Sequence, residues 1–500
     1  MLSVFDHGRC APCPSRFNMA AHVLAAGEAV PDKIALAVVK PTGAERWSYA
    51  RLIAAVRGTA AGLLSSGLQP GDIVLMRLGN TVDFPIAYLG AIAAGLVPVP
   101  SSAQLTVHEV TRILDDLAPK AVLRAENVPC PDTEIPVYGP AQFRAWRDLP
   151  GADYHLGDPE RLGYIVYTSG TSGVPRAVGH AHRAIWARQM MFEDWYGLRA
   201  DDRLLHAGAF NWTFTLGTGL MDPWTKGATA LIPVAGTDPG QLPLLLKRND
   251  ATLFAAAPGV YRQVLKSPIL PMPKLRHGLA AGEKLSETIR EGWRTATDTE
   301  IYEAFGMSEC STFISNAPGW ASAPGTLGRP QVGRHLAILS EGAPVPRGVE
   351  GTIAIHRDDP GLMLGYIGAP KATAAKFDGD WFLTGDQGAM DEDDQITYLG
   401  RSDDMMNAGG YRVSPAEVEA ALATLPGIIE IAVTDLAIKE DVRIIAAFYT
   451  AETDLDEDSL KQQAADRLAR YKCPRSFVRI DVLPRNPNGK ILRKALKDLT

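Results

Sequence analysis

Between an apolar run and a proline the sequence places six hydroxyl or glycine residues in a row, Thr168, Ser169, Gly170, Thr171, Ser172 and Gly173, followed by Val174, Pro175 and Arg176. Such a run suits a polyanion. Glycine lets successive backbone N–H groups turn toward one point, and the hydroxyls add donors that can follow a moving phosphate. Arg176 adds a fixed charge able to fork onto two oxygens. The run is not a Walker A loop, which needs G-x-x-x-x-G-K-[ST]; here no Lys-Ser/Thr follows the glycines. A surface loop that binds nothing is the bland reading, and so dense a run between two apolar segments is unusual for one.

The elements around this loop read as α/β layers. The apolar strand Tyr164–Tyr167 delivers the chain to it. From about Phe17 to Val122, helical apolar stretches alternate with short β-branched runs. Residues 48–64 predict a helix entered through Ser48, residues 72–76 a buried strand and residues 83–94 the next helix. Strands are also expected near residues 228–233 and 252–256. This alternation argues for largely parallel sheets. After about Gly351 the texture changes to strand-and-turn sequence ending at Arg401.

A compact C-terminal unit follows. Ser414-Pro-Ala-Glu417 predicts a capping box, with Val418, Ala421, Leu422 and Leu425 as the apolar stripe. Strands over residues 428–434 and 442–450, a helix from about Ser459 and a last strand over residues 477–482 complete a small α+β unit.

Composition bounds the rest. A chain of 500 residues exceeds one ordinary core, and 46% hydrophobic with 21% charged residues is a soluble globular balance. A net charge of −7 gives no general reason to bind nucleic acid or anionic lipid, so phosphate binding needs a local device. Five scattered cysteines are no disulfide framework, and the Cys10–Cys13 pair lacks the second half of a zinc site. Asp6, His7 and Arg9 interrupt any export signal, and the apolar run from Ala87 to Val99 is too short to span a bilayer. A reducing cytoplasm is expected, with no nucleic-acid partner and no membrane insertion; homodimerisation is left open.

The segment from Tyr167 to Pro175 resembles the signature loop of the adenylate-forming superfamily: acyl-CoA synthetases, nonribosomal-peptide adenylation domains and luciferases. Four more stretches follow in the superfamily's order: Tyr302-Glu-Ala-Phe-Gly-Met-Ser-Glu309, Trp381-Phe-Leu-Thr-Gly-Asp386, Gly400-Arg-Ser-Asp-Asp404 with Gly409-Gly-Tyr-Arg412, and Pro487-Asn-Gly-Lys490. The resemblance runs from about Phe17 to Leu499. It implies a large multi-layered N-terminal domain, residues 1–402, and a small mobile α+β domain, residues 403–500. ATP, Mg2+ and coenzyme A are the implied cofactor and co-substrates.

By resemblance, Thr168 to Gly173 and Arg176 hold the ATP phosphates. Ser308 contacts the α-phosphate, and Glu309 is the Mg2+ ligand, a hard oxygen donor for a hard cation. Phe305 stacks on adenine, Glu303 accepts from its exocyclic amine and Ala304 lies between them. Gly282 and Glu283 belong to a second adenine-site loop. Asp386 accepts from both ribose hydroxyls, a task for a two-oxygen carboxylate, and Arg401 contacts ribose and phosphate. Taken alone, an Asp in a Thr-Gly-Asp turn is a plain turn residue; the shared order is what gives it a role. Lys490, on its own a solvated tail charge, is implied as the catalytic lysine that draws the two anions together. Asp403 matches the hinge, and Gly409, Gly410, Tyr411 and Arg412 the passage for the pantetheine thiol.

The acyl slot is expected from Asn211, Trp212, Ala281, Phe305 and Gly306, with Phe214 read as core. The segment around Met221-Asp-Pro-Trp224 looks most like benzoate–CoA ligases and medium-chain acyl-CoA synthetases, implying an aryl or short- to medium-chain acid. This chain departs from the pattern at Arg176, usually Lys, and at Ala177, usually Gly. Two alternatives stay open: an acyl-AMP ligase that loads a carrier protein, and a degenerate nucleotide-binding module.

Overall fold

The computed structural model describes residues 1–168, 176–320, 322–402, 404, 406–408, 411–439, 442–468, 472–486 and 489–499. Ser48 caps as predicted: its Oγ accepts from the Arg51 N–H at 3.3 Å, and the helix Tyr49–Ser65 follows. The helix Asp83–Ala93 is buried from Phe84 to Ala93. That explains its almost unbroken apolar sequence, since a helix apolar all round is buried all round. It feeds the strand Val97–Pro100, so this run is interior packing. Among the described residues no helix is long and apolar enough to cross a membrane.

The strand Val97–Pro100 joins Ile73–Arg77, Ala121–Arg124 and Val137–Tyr138 in a four-stranded, all-parallel sheet. A nine-stranded sheet forms the second layer. Its centre, from Ile301–Met307 through His277–Ala281, Leu253–Ala256, Arg203–His206 and Thr229–Pro233 to Ile34–Lys40, is parallel, and both edges are antiparallel. Helices cover the faces, as such sheets require. The strand-and-turn texture after Gly351 resolves into an antiparallel sheet built on His335–Ser340, Gly351–His356 and Trp381–Met390.

From Met406 onward the chain builds sheets and cores of its own. Met406–Ala408 pairs with Tyr411–Val413, and Glu430–Lys439, Val442–Thr450 and Ser476–Arg479 form a three-stranded sheet. Local detail differs from expectation in four places, one being the last strand, which ends at Arg479 and short of residue 482. The strand Glu430–Lys439 outruns residues 428–434 because it pairs along the whole length of its neighbour. The helix expected near Ser459 starts at Glu457, since Asp456 accepts from the Ser459 N–H. Ser414 caps the helix Pro415–Leu422, but Glu417 turns to Lys472 instead of completing the box.

Candidate active site

The strand Leu162–Thr168 runs antiparallel to Arg176–Ala181, and the last register pair sets Thr168 opposite Arg176. The two ends of the hydroxyl-rich segment are therefore closed on each other. Ser169, Gly170, Thr171, Ser172, Gly173, Val174 and Pro175 lie outside the described residues, and of Thr168 only the backbone is described. The Arg176 guanidinium lies 4.9 Å from the Tyr366 ring centre. Tyr366 in turn donates its hydroxyl to Glu309 Oε1 at 2.7 Å. Tyr366 thus couples the phosphate segment to the candidate metal ligand, a link that sequence reasoning missed.

Ser308 and Glu309 follow the strand Ile301–Met307, which is bulged between Phe305 and Gly306. Gly306 is required there: a Cβ would stand 2.1 Å from the Ser311 carbonyl. The loop is tied by its own backbone. The Glu309 carbonyl accepts from the Met363 N–H at 2.7 Å, and the Ser308 carbonyl lies 2.7 Å from His180 Nε2. A carbonyl can only accept, so Nε2 carries the proton. Burial lowers the His180 pKa to about 4, keeping the ring neutral near pH 7.

The residues expected at adenosine form a chain of contacts. Phe305 meets Phe313 edge-on at 5.5 Å and Tyr398 at 5.4 Å. The Tyr398 hydroxyl donates to Asp386 Oδ1 at 3.2 Å, and Arg401, opposite Asp386 in the sheet, places Nη1 3.4 Å from Oδ2. Asp386 is 4% exposed. Burial raises its pKa, while Arg401, Lys490, Tyr398 and Lys376 pull it back. Lys490 itself is exposed on a clasp in which the Asn486 N–H donates to the Lys490 carbonyl and Asn486 Oδ1 accepts from the Lys490 N–H, both at 2.9 Å.

The second loop divides its labour. Gly282 has φ +100°, and a Cβ there would come within 2.8 Å of Trp212; this close approach packs the loop onto the Trp212 ring. Glu283 accepts from the Gly259 N–H at 3.1 Å and from Arg485 Nη1 at 3.0 Å. Burial raises the Glu283 pKa, opposed by Arg485 and Arg262. Arg485 also donates to Glu430 at 2.6 Å, and Glu430 pairs with Arg262. These charges join the C-terminal unit to the large one. Glu303, expected to face the adenine amine, is 4% exposed and turned inward. Its carboxylate accepts from the Leu285 N–H at 2.8 Å and from Arg290 at 3.4 Å, which straps the loop to the sheet.

Of the residues expected at the acyl group, Asn211 and Trp212 are half-buried at the start of the short helix Thr213–Leu216. Trp212 meets Phe214 edge-on at 5.0 Å, and Ala281 and Ala304, paired across the sheet, are buried in the same cluster. Phe214 packs against Trp195 and His206 as core. In the interior Arg188 forks onto Asp222 at 2.6 and 2.8 Å, and Tyr196 adds a third bond at 2.7 Å. Asp403, Gly409 and Gly410 lie outside the described residues, and Tyr411 and Arg412 are placed by backbone alone.

Both parts of the chain match models of one family: residues 24–367 match "AMP-binding enzyme" and residues 417–490 its C-terminal domain. The chain belongs to this family and so to the adenylate-forming superfamily. It is 31% identical to a benzoate–CoA ligase of Thauera aromatica over 99% of both chains, and 28% identical to a mitochondrial acyl-coenzyme A synthetase of Rattus norvegicus over 90% of this chain and 84% of that one. Among solved structures it matches ATP-bound MatB of Rhodopseudomonas palustris with TM-score 0.87 and 26% identity, covering 97% of this chain and 99% of that one. Against apo MatB the TM-score is 0.80, at 26% identity and covering 96% and 98%.

Proposed function

We propose that this chain activates an aryl, or short- to medium-chain, carboxylic acid through an acyl-adenylate and hands it to coenzyme A. The chain is an AMP-forming acid–CoA ligase. A carboxylate oxygen attacks the α-phosphorus of ATP, the bond to pyrophosphate breaks, and acyl-AMP forms. The thiol sulfur then attacks the acyl carbonyl carbon and AMP leaves. The relatives described above act on coenzyme A by name, which favours it over a carrier-protein thiol.

The observation that carries the adenylation half is the Arg485–Glu283 pair, with Lys490 close enough to act on the charge of buried Asp386. In this reading Asp386 and Arg401 hold the ribose, and Phe305, beside Tyr398, offers its ring to the base. Lys490 brings a compact cation to the meeting carboxylate and α-phosphate, where anions must approach in little water. Glu309 suits Mg2+: its Oε1 is fixed by Tyr366, and among the described residues no cluster of three His, Cys, Asp or Glu could hold a metal alone. The ion would complete its shell from phosphate oxygens and water, supplying charge neutralisation.

For the second half, residues 403–500 are proposed to swing about Asp403 as one domain against residues 1–402. The swing would withdraw Lys490 and bring the segment Gly409–Arg412 to the site. A slot lined by Trp212, Ala281 and Gly306 would suit an aryl acid, and a cytoplasmic location goes with five free cysteines. A pyrophosphate-release screen over aryl, cycloalkyl and short- to medium-chain acids, with and without coenzyme A, tests the reading. It predicts release with at least one such acid and a CoA thioester as product; absence of release across the panel contradicts it.

A further inference from the structure

Lys376 stands in the turn between the helix Pro370–Ala374 and the strand Phe377–Asp378. Its backbone is fixed on both sides: the N–H donates to the Thr373 carbonyl at 3.0 Å, and the carbonyl accepts from the Leu383 N–H at 2.7 Å. The side chain lies over Phe382, with Nζ 5.9 Å from the ring centre. Phe382, Thr384 and Asp386 alternate onto the buried face of the strand Trp381–Met390, so the ammonium lies on the face that carries Asp386. From the other side, Thr373 accepts from the Tyr366 N–H at 2.9 Å, and the Tyr366 hydroxyl reaches Glu309.

Glu309, Arg401, Asp386 and Arg176 are the charges that act on this ammonium, Glu309 most strongly, and burial lowers its pKa. Among the described residues it has neither a hydrogen-bond nor an ion-pair partner. A half-buried cation with two arginines nearby and no carboxylate of its own is costly. The arrangement makes sense when an anion joins it.

We infer that Lys376 is a binding residue for the triphosphate of ATP, its ammonium gripping the β,γ-phosphate end that departs as pyrophosphate. The hydrogen bonds that lead from its turn through Thr373 and Tyr366 link it to Glu309, on the side proposed for the phosphates. A second cation here also suits a segment whose usual lysine is Arg176, because arginine forks rigidly while a lysine can follow the phosphate as it leaves. The inference rests on the ATP-dependent reading above.

The test compares Lys376→Met, Lys376→Gln and Lys376→Arg with the parent enzyme by calorimetric titration with ATP and with AMP. Losing one charge-assisted contact should weaken ATP binding about tenfold in the Met and Gln variants. AMP binding should change less than about twofold, since AMP lacks the gripped phosphates. The Arg variant should recover most of the affinity, and thioester formation from supplied acyl-AMP should stay near the parent rate. Equal weakening of ATP and AMP, or unchanged ATP affinity in a folded Met or Gln variant, overturns the assignment. A parent enzyme that binds no ATP defeats the underlying reading instead, so the two failures are distinct.

Discussion

Arg485 of the C-terminal unit holds its Nη1 3.0 Å from Glu283 Oε2 of the large unit, while its Nη2 holds Glu430 at 2.6 Å. Arg262 reaches the same Glu430 from the large side. This cluster is partly buried, so it is screened less than a surface pair. It sets the arrangement in which the Lys490 charge bears on Asp386.

Arg485→Ala should therefore loosen the adenylating arrangement. Adenylation is expected to fall about tenfold, the scale of a partly buried charged hydrogen bond. Thioester formation from supplied acyl-AMP should hold or rise. A Glu283→Gln/Arg485→Ala double-mutant cycle on pyrophosphate release checks the coupling; additive effects would dissolve the link.

Tyr366 is the next test. Tyr366→Phe removes the hydroxyl that fixes Glu309 but keeps the ring under Arg176. Pyrophosphate release is expected to slow by about fivefold to tenfold, with a higher Mg2+ requirement, since one hydrogen bond to a carboxylate is lost. A Mg2+ titration matching the parent's would remove Tyr366 from the site.

Asp222 pairs with Arg188 in the interior. Asp222→Ala strands Arg188 in the interior, which typically costs about 3–5 kcal/mol. The expected fall in Tm is roughly 3–5 °C, and Arg188→Met with Asp222→Leu should recover much of it. Thermal unfolding checks both; an unchanged single variant would mean the pair carries no structural weight.

Acid should weaken the fold through its buried histidines. Burial lowers His180 and His277 to about 4 and His182 and His206 to about 3, from an ordinary value of 6.5. The unfolded chain takes up protons below 6.5 and the folded one does not, so stability is full above that pH and falls as pH drops toward the folded values. The carboxyls of Glu283, Glu303, Asp386 and Glu419, raised by burial, act in the opposite sense. A difference measurement therefore isolates one histidine. Between pH 7 and 5.5, His206→Leu should lose less stability than its parent, by up to about 1 kcal/mol. Parallel urea-unfolding midpoints for the two proteins would refute the contribution of His206.

What the sequence made legible was local or ordered along the chain. The Ser48 cap, the apolar helix at Asp83–Ala93 and the strand entering the hydroxyl-rich segment follow from residues near one another. The superfamily order placed Glu309, Asp386 and Arg401 where the sheet then set Asp386 opposite Arg401. Tyr366 and Arg485 were not legible, because each gains its meaning from a partner far along the chain. Arg485 and Glu283 are 202 positions apart. Glu303 shows the converse: the resemblance gave it the adenine amine, while Leu285 and Arg290, brought in by tertiary packing, are the partners its carboxylate has.

The central claim is that Lys490 serves adenylation alone. It is tested most directly by measuring both half-reactions in Lys490→Ala: pyrophosphate release from acid and ATP, and thioester formation from supplied acyl-AMP and coenzyme A. The account predicts that the first falls about 10²–10³-fold, the scale of losing one preorganised electrostatic contact, and that the second stays near the parent rate. An equal loss in both, or no loss in the first, would contradict it.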